Sequence, residues 1–426
     1  KIIVIGVDGL EWDVIGPMVR EGRLPNIKRL IDTGVSGNLS TNDPLISPAI
    51  WTSIATGKKT EKHGITSFLS DGIPMTSNQR KTKALWNILS DHNQTVGVVG
   101  YQITWPVEEV NGFMVSDRLW IFNTPFGHNH PANIIIPFYV YKAISYLTGL
   151  ELFTSAYSLW SEHQFVDGYL FNPLHPLYGR DSQIYWHNFM VFNVLMKNHV
   201  RDRNFFELGE YLRTRNDPRV YVIYFKLIDR SSHVFWRYYQ PEKFDTGTET
   251  KGIRRFGQSI PRSYEYVDEM IGQMMESNPR STIILLSDHG FHGFDIAYEC
   301  YGERSLEGDW FEHRGECGKI PWKSGVHKEP AVIIMKGPCM REGEMIDNAS
   351  IYDITPTILG LTGIPVGKDM DGRFLDQAMT DECLGRTKIM HIGTHDEDDR
   401  KGDLKPIPSD DDEQIKKRLR DTGYMV

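Results

Sequence analysis

The chain has 426 residues, of which 40% are hydrophobic and 24% are charged, and its formal net charge is −9. This is the composition of a globular protein with a sizeable core. An acidic chain lacks the basic surface that general nucleic-acid binding requires, so no nucleic-acid partner is expected, whereas a small phosphate-containing substrate is compatible because a bound metal ion reverses the local field.

Five short apolar runs rich in β-branched residues predict buried strands. Their near-continuous apolarity is typical of parallel strands that are covered on both faces. The runs are Ile2–Val7, Thr95–Gly100, Val220–Lys226, Thr282–Ser287 and Ala331–Met335. Helical patterns separate them, at Asn26–Asp32, Pro48–Ala55, Thr82–Asp91, Ile260–Glu276 and Ile351–Leu361. This alternation predicts an α/β fold, with a doubly wound, mostly parallel sheet and helices on both faces.

Two segments interrupt the alternation of strands and helices. Residues 118–201 are rich in aromatic residues and predict a mostly helical cap insertion over the edge of the sheet, and residues 292–325 predict a smaller insertion loop. The catalytic core is therefore expected to be discontinuous, formed by residues 1–117 and 202–380. An acidic tail follows at 395–426, with a solvated, loose acidic run and then one terminal helix. Substrate choice is expected to depend on the two insertions.

The most membrane-like stretch runs from Asn133 to Phe153. Pro137, Lys142 and Glu151 interrupt it, and a spanning helix needs about 20 mostly apolar residues. We therefore expect no transmembrane segment, while contact with a membrane surface stays open. The oligomeric state is not readable from the sequence.

The four cysteines, Cys300, Cys317, Cys339 and Cys383, form no C-x-x-C motif. Cys300 and Cys317 bracket a loop and could pair in an oxidising compartment, although free thiols are the simpler expectation. The chain begins at Lys1 rather than at a methionine, so a removed leader stays open. A cytoplasmic location is the default expectation.

Six acidic and histidine side chains lie at the ends of four predicted strands, where an open α/β sheet binds its ligands. They are Asp8, Asp229, His233, Asp288, His289 and His327. Taken singly, an aspartate after a strand is usually a turn or cap residue, and a lone histidine is usually structural. Together, carboxylates and imidazoles are the ligands of zinc and similar divalent ions, with manganese and iron as alternatives. The set is large enough for two such ions.

Ser47 comes directly before a helical pattern that has Pro48 at its first position. This arrangement predicts that Ser47 is the N-cap of the helix. The same place also suits a nucleophile, because a helix N-terminus offers N–H groups and positive potential to a phosphate. A divalent ion beside the hydroxyl would make the serine far easier to ionise. The two roles are compatible.

Six motifs carry a family resemblance. In chain order they are VIGVDGLEWD, SPAIWTSIATGKKTEKHGI, DRSSHVFW, LLSDHGF, GVHKEPAVIIMKGP and IYDITPTILGLTGIPVGKDMDGR. Over residues 1–375, leaving out the insertion, the chain resembles the alkaline phosphatase superfamily, and within it the type I phosphodiesterase/nucleotide pyrophosphatase branch. Each motif is a moderate signal, but their order makes the resemblance strong.

The resemblance implies two metal sites, usually zinc, and a nucleophile at Ser47. One ion would be held by Asp8, Ser47, Asp288 and His289, and the other by Asp229, His233 and His327. The implied enzyme is a metal-dependent hydrolase that cleaves phosphodiester or pyrophosphate bonds. The reaction would pass through a covalent phosphoserine intermediate.

The chain also departs from its relatives. Nucleotide pyrophosphatases carry an asparagine three positions after the nucleophile, where this chain has Ile50, so nucleotide specificity is not implied. Sulfatases need an arginine four positions after the nucleophile, where this chain has Trp51, so a sulfatase is set aside. A phosphomonoesterase, phosphonate hydrolase or headgroup phosphotransferase stays open, as does a metal-binding scaffold without turnover. His63 is interpreted as a structural residue that closes the turn after the Ser47 helix.

Overall fold

The computed structural model describes residues 1–41, 44–119, 194–195, 197–244, 250–294, 323–396, 405–409 and 412–421. Most of the predicted cap insertion and of the 292–325 loop lies outside these residues. So do Cys300, Cys317, the apolar stretch Asn133–Phe153 and most of the acidic run of the tail. Within the described ranges, no helix combines the length and apolarity that crossing a bilayer requires.

A large mixed sheet forms the centre of the fold. The strands are β1 (Ile2–Val7), β2 (Val35–Ser40), β3 (Leu69–Ser70), β4 (Ile73–Pro74), β5 (Val96–Val99), β6 (Gly112–Val115), β7 (Val220–Phe225), β8 (Thr282–Leu286), β9 (Gly290–Gly293), β10 (Gly325–Lys328), β11 (Ala331–Lys336), β12 (Glu344–Ser350), β13 (Val366–Gly367) and β14 (His391–Ile392). In the part of the chain that the structure describes, eight of them form one sheet in the order β12-β2-β11-β8-β1-β7-β5-β6.

Helices pack on both faces of this sheet. They are α1 (Trp12–Arg20), α2 (Pro25–Asp32), α3 (Ser47–Thr56), α4 (Thr60–His63), α5 (Leu85–Asp91), α6 (Lys197–Asn216), α7 (Leu227–Tyr239), α8 (Thr250–Phe256), α9 (Ser259–Ser277), α10 (Ile354–Thr362), α11 (Asp381–Arg386) and α12 (Asp412–Asp421). Alternate residues of β1 enter different cores, because successive side chains of a strand point to opposite faces. Ile3 and Ile5 pack with α1, α2 and α9, whereas Ile2 and Val4 pack with α3, α5 and α10.

The predicted α/β fold with a mostly parallel sheet is confirmed. The predicted direction of one strand is wrong. β11 was predicted to be parallel, but it pairs antiparallel with both β8 and β2. The path of the chain explains this. After β8 ends at Leu286, the chain forms the antiparallel pair β9–β10. This pair lies outside the large sheet, beyond the carboxyl end of β8. β11 follows β10 after two residues, so it starts where β8 ends and must run back.

A glycine sets the position of the helix that carries Ser47. A Cβ on Gly6 of β1 would lie only 2.7 Å from a ring atom of Trp51 in α3. The bare backbone therefore lets the Trp51 ring pack directly on β1, two residues before Asp8. This contact brings α3 against the strand whose end carries the first predicted metal ligand.

A disulfide joins Cys339 to Cys383, whose Cα atoms lie 5.4 Å apart. No sequence motif indicates a bond between these two cysteines. The two cysteines are 44 residues apart in sequence, and a backbone hydrogen bond of 2.9 Å from the N–H of Thr380 to the carbonyl of Cys339 brings their segments together. Only the folded chain makes these cysteines neighbours.

The expected terminal helix is present as α12, and it packs on the core. Leu419 is buried, and the carboxylate of Asp412 lies 3.5 Å from the guanidinium of Arg118. Arg118 also donates a 3.1 Å hydrogen bond to the hydroxyl of Ser409. These contacts hold α12 against the residues that follow β6.

Candidate metal and active site

All seven predicted site residues lie together beyond the carboxyl ends of the central strands. Asp8 follows β1, Asp288 and His289 follow β8, Asp229 and His233 lie in the first two turns of α7, His327 lies in β10, and Ser47 begins α3. Because β7, β1 and β8 are adjacent and parallel, their ends meet at one edge of the sheet. The sheet topology therefore converts distant sequence positions into one site.

The first cluster is built around His289. Its Nε2 lies 3.3 Å from Asp8 Oδ1, 3.3 Å from Asp288 Oδ2 and 3.4 Å from Ser47 Oγ. All four side chains are buried. These are the residues that the family resemblance assigned to one ion.

The second cluster is built around Asp229. Its Oδ1 lies 3.2 Å from His233 Nε2 and 3.4 Å from His327 Nε2, and the two imidazole nitrogens are 3.0 Å apart. The two clusters adjoin, because the rings of His289 and His327 stack with their centroids 3.5 Å apart. The potential ligand atoms of Asp229, His289 and His327 accordingly lie within 4.8 Å of one another.

Backbone carbonyls fix the tautomer of all three histidines. His289 Nδ1 lies 3.2 Å from the carbonyl of Gly290, His233 Nδ1 lies 2.9 Å from that of Gly325, and His327 Nδ1 lies 3.0 Å from that of Leu45. A carbonyl only accepts, so each Nδ1 carries the proton. Each Nε2 is then the nitrogen that faces the carboxylates and that can bind a metal ion, which is how imidazole ligands are oriented in metal sites.

Two residues that sequence reasoning missed hold the Asp8 carboxylate. The hydroxyl of Tyr224, on β7, donates a hydrogen bond to Asp8 Oδ2. Gln102 donates to the same oxygen at 3.3 Å and to the Tyr224 hydroxyl at 2.6 Å. These bonds occupy Oδ2 and turn Oδ1 toward His289. No local sequence motif indicates either residue, since their contact with Asp8 depends on the pairing of β1 with β7 and of β7 with β5.

The site has an excess of negative charge that suits cations. Asp8, Asp229 and Asp288 are fully buried together. Burial and the nearby Asp8 carboxylate raise the pKa of Asp288 well above its usual range. Burial lowers the pKa of His289, but the carboxylates of Asp288 and Asp8 outweigh this effect and raise the pKa to about 9. Within the described residues, Asp8 Oδ1 and Asp288 Oδ2 accept no hydrogen bond. Buried carboxylate oxygens grouped with imidazole nitrogens fit divalent metal ions, and such an ion would replace the proton that the carboxylates favour on His289.

The structure corrects the expected N-cap. Ser47 is the first residue of α3, Ile46 occupies the N-cap position, and no side chain caps the helix. The Ser47 hydroxyl points to His289 instead. Ile50 is fully buried in the core, so it offers no polar contact where nucleotide pyrophosphatases have an asparagine.

His63 has a structural role, in agreement with its interpretation from the sequence. Its Nδ1 accepts a 3.1 Å hydrogen bond from the backbone N–H of Ile65, so its Nε2 carries the proton and faces the Ser53 hydroxyl at 3.0 Å. The imidazole is neutral in this arrangement. Burial and the charge of Arg80 lower its pKa to about 3.

His63 is expected to make the protein less stable as the pH falls below 6.5. The unfolded chain binds a proton at His63 below its ordinary pKa of about 6.5, whereas the folded chain does not until about pH 3. Between these values the free energy of unfolding falls by up to about 1.4 kcal/mol per pH unit. Denaturant unfolding at pH 7 and pH 5.5 measures it. H63Q, which keeps an acceptor and a donor, should lose about 1 kcal/mol less than the wild type over this interval. Equal losses in the two proteins would contradict the prediction.

Comparison with known proteins gives the class and then the family. The chain is similar to wild-type alkaline phosphatase PafA, with 12% identity over 89% of this chain and 98% of that one, and a TM-score of 0.53. It also matches human ectonucleotide pyrophosphatase/phosphodiesterase 5, with 10% identity over 89% and 98% of the two chains and a TM-score of 0.46. No curated protein matches. The likeness to PafA shows that the chain has an alkaline phosphatase-like α/β fold.

The family follows from the sequence itself. Residues 2–330 match the family model of type I phosphodiesterases/nucleotide pyrophosphatases. The chain therefore belongs to this family and is a phosphoric ester hydrolase. The family is metal-dependent, in keeping with the unsatisfied carboxylate oxygens and oriented imidazoles of the two clusters.

Proposed function

We propose that this enzyme cleaves phosphodiester or pyrophosphate bonds, with Ser47 as the nucleophile and two divalent metal ions as cofactors. Zinc is the expected metal, with manganese and iron as alternatives. One ion would be held by Asp8, Ser47, Asp288 and His289, and the other by Asp229, His233 and His327. The observation that carries the proposal is the convergence of three imidazole Nε2 atoms and three buried carboxylates in two adjoining clusters, with the Ser47 hydroxyl 3.4 Å from His289 Nε2.

Bound divalent ions would supply Lewis-acid stabilisation of the ionised serine and of the leaving oxygen. The protein's own contributions are positional. The Ser47 oxygen forms a bond to phosphorus while the bond to the leaving oxygen breaks, so the phosphoryl group stays on Ser47 with the remaining arm of the substrate still attached. Water then breaks the bond between Ser47 and phosphorus and releases the product phosphate ester. Ser47 lies at the N-terminal end of α3, and the positive potential at this end of the helix favours the negative charge of the phosphoryl oxygens. Tyr224 and Gln102 hold the Asp8 carboxylate in place for its role as a ligand.

A matched pair of aryl esters tests the reaction class. Zinc- or manganese-loaded protein is expected to hydrolyse bis(p-nitrophenyl) phosphate faster than p-nitrophenyl phosphate, as a diesterase should. The release of nitrophenolate measures both rates on one preparation. A faster monoester reaction would favour a phosphomonoesterase, and metal-loaded protein that turns over neither ester would contradict the proposal.

A further inference from the structure

A cavity of about 100 Å³ opens beside the Asp8 carboxylate. Its lining includes Pro48, which follows Ser47, and Gln102 and Tyr224, which both bond to Asp8 Oδ2. This volume is several times what a single water molecule needs. Through these three residues the cavity adjoins Ser47 and Asp8, and it is large enough for a small group of the substrate.

Positive charge dominates the lining of this cavity. Among the described lining residues there are four cationic side chains and a single carboxylate, that of Asp117, and the cations are Arg118, Arg201, Lys226 and Arg230. The whole chain has a net charge of −9, so the charged side chains of the lining have a balance opposite to that of the whole chain. Low-dielectric walls with one sign of charge concentrate the field on a ligand of the other sign.

Each of these cations has a carboxylate beside it, and each carboxylate also has other partners. Asp202 pairs with Arg201 at 2.7 Å and accepts hydrogen bonds from the backbone N–H groups of Lys226 and Leu227. Lys226 Nζ lies 3.9 Å from Asp8 Oδ2 and Arg230 Nε lies 3.5 Å from Asp229 Oδ2, and both of these carboxylates are candidate metal ligands. Asp412 lies 3.5 Å from Arg118 and accepts hydrogen bonds from the N–H and the hydroxyl of Ser409. These contacts hold the cationic groups in place.

Arg118 lies at the end of the cavity that is far from the reacting centre. Arg118 follows β6, and β6 is three strands away from β1 in the sheet order. At about 4.8 Å per strand, the ends of β1 and β6 are roughly 14 Å apart. Arg118 is held there by its stacking over Trp105, 4.1 Å from the ring centroid, and by its hydrogen bond to Ser409. It is placed for a group several bonds from the phosphorus that Ser47 would attack.

We propose that this cavity binds a second anionic group of the substrate, a carboxylate or a phosphate, carried on an arm attached to the scissile phosphodiester or pyrophosphate. The inference rests on the proposed function and deepens it by naming a substrate class. Lys226, Arg201 and Arg230 form the near part of the anion site, and Arg118 forms the far part. Ile415 and Leu419 of α12 complete its wall.

A series of synthetic diesters tests the proposal. The probes are p-nitrophenyl phosphates esterified with an n-alkyl arm, an ω-carboxyalkyl arm or an ω-phosphonoalkyl arm, with arms of several matched lengths. At one length or more, kcat/KM is expected to be at least about tenfold higher for an anionic arm than for the alkyl arm. The carboxylate and phosphonate probes distinguish the two anions. The preference should decrease as salt is added, because salt screens charge.

The matched variants are R118Q in the cavity and K28Q on the exposed face of α2. R118Q is expected to lower the preference for the anionic arm about five- to tenfold, R118K to restore part of it, and K28Q to leave it unchanged. Calorimetric binding of ω-carboxyalkyl phosphate and n-alkyl phosphate to the same proteins gives a readout independent of turnover. It should show the same preference and the same loss in R118Q.

The outcomes are distinguishable. If no diester is hydrolysed by metal-loaded protein, the proposed function fails. If alkyl diesters are hydrolysed and no anionic arm of any length is preferred by the wild-type enzyme, the anion site is wrong while the proposed function stands. A preference for the anionic arm that is unchanged in R118Q would also overturn the proposed anion site. If R118Q does not fold, the ratio of kcat/KM for anionic-arm and alkyl-arm diesters in the wild-type enzyme still tests the anion site.

Discussion

S47A is expected to lower kcat for diester hydrolysis by about 10³-fold or more, since it removes the oxygen that would attack phosphorus. Ser47 begins α3, and its Oγ lies 3.4 Å from His289 Nε2 within the first cluster. The nitrophenolate assay measures the loss. An acid-quenched reaction with a phosphorus-labelled diester should leave label on the wild-type protein, as the phosphoryl ester of Ser47 that keeps the second arm, and none on S47A.

The control removes another serine from the same helix. S53A deletes the Ser53 hydroxyl, which faces His63 and not the site, so it should keep most of the turnover while losing some stability. Thermal unfolding shows whether both variants fold. If folded S47A retained more than about a tenth of the wild-type rate, Ser47 would not be the nucleophile.

H327A is expected to lose about one bound zinc per chain and to lower turnover at least about 100-fold. His327 Nε2 lies 3.4 Å from Asp229 Oδ1 and 3.0 Å from His233 Nε2, so its removal takes one of three candidate ligands from the second cluster. Atomic emission measures zinc per chain, and the diester assay measures turnover. Chelation of the wild-type enzyme should abolish turnover, and added zinc should restore it.

His292 supplies the matched control for this experiment. It lies on β9, directly opposite Val326 of β10, but its side chain is exposed. H292A should therefore keep both the zinc content and the rate. An H327A protein with wild-type zinc content and wild-type turnover would remove the second cluster from the mechanism.

Local sequence patterns predicted much of the scaffold. Buried strands such as Ile2–Val7 are apolar throughout, because both faces of the strand are covered, and that signal needs no knowledge of neighbours. The strands β2, β6 and β12 escaped prediction. β2 reads VSGNLS and β12 reads EMIDNAS, and such polar segments become strands only because the adjacent strand supplies hydrogen-bond partners.

The sequence by itself determined which residue types gather at the strand ends, and so the candidate ligands Asp8, Asp229 and Asp288 were readable from it. The tertiary structure alone decided the direction of β11 and the carbonyls that orient each imidazole. It also brought Tyr224 and Gln102 to Asp8, and Arg118 to the cavity. The physical reason is range: a strand end is a local feature, whereas a hydrogen bond or a charged cavity depends on atoms that only the folded sheet brings within a few ångströms of each other.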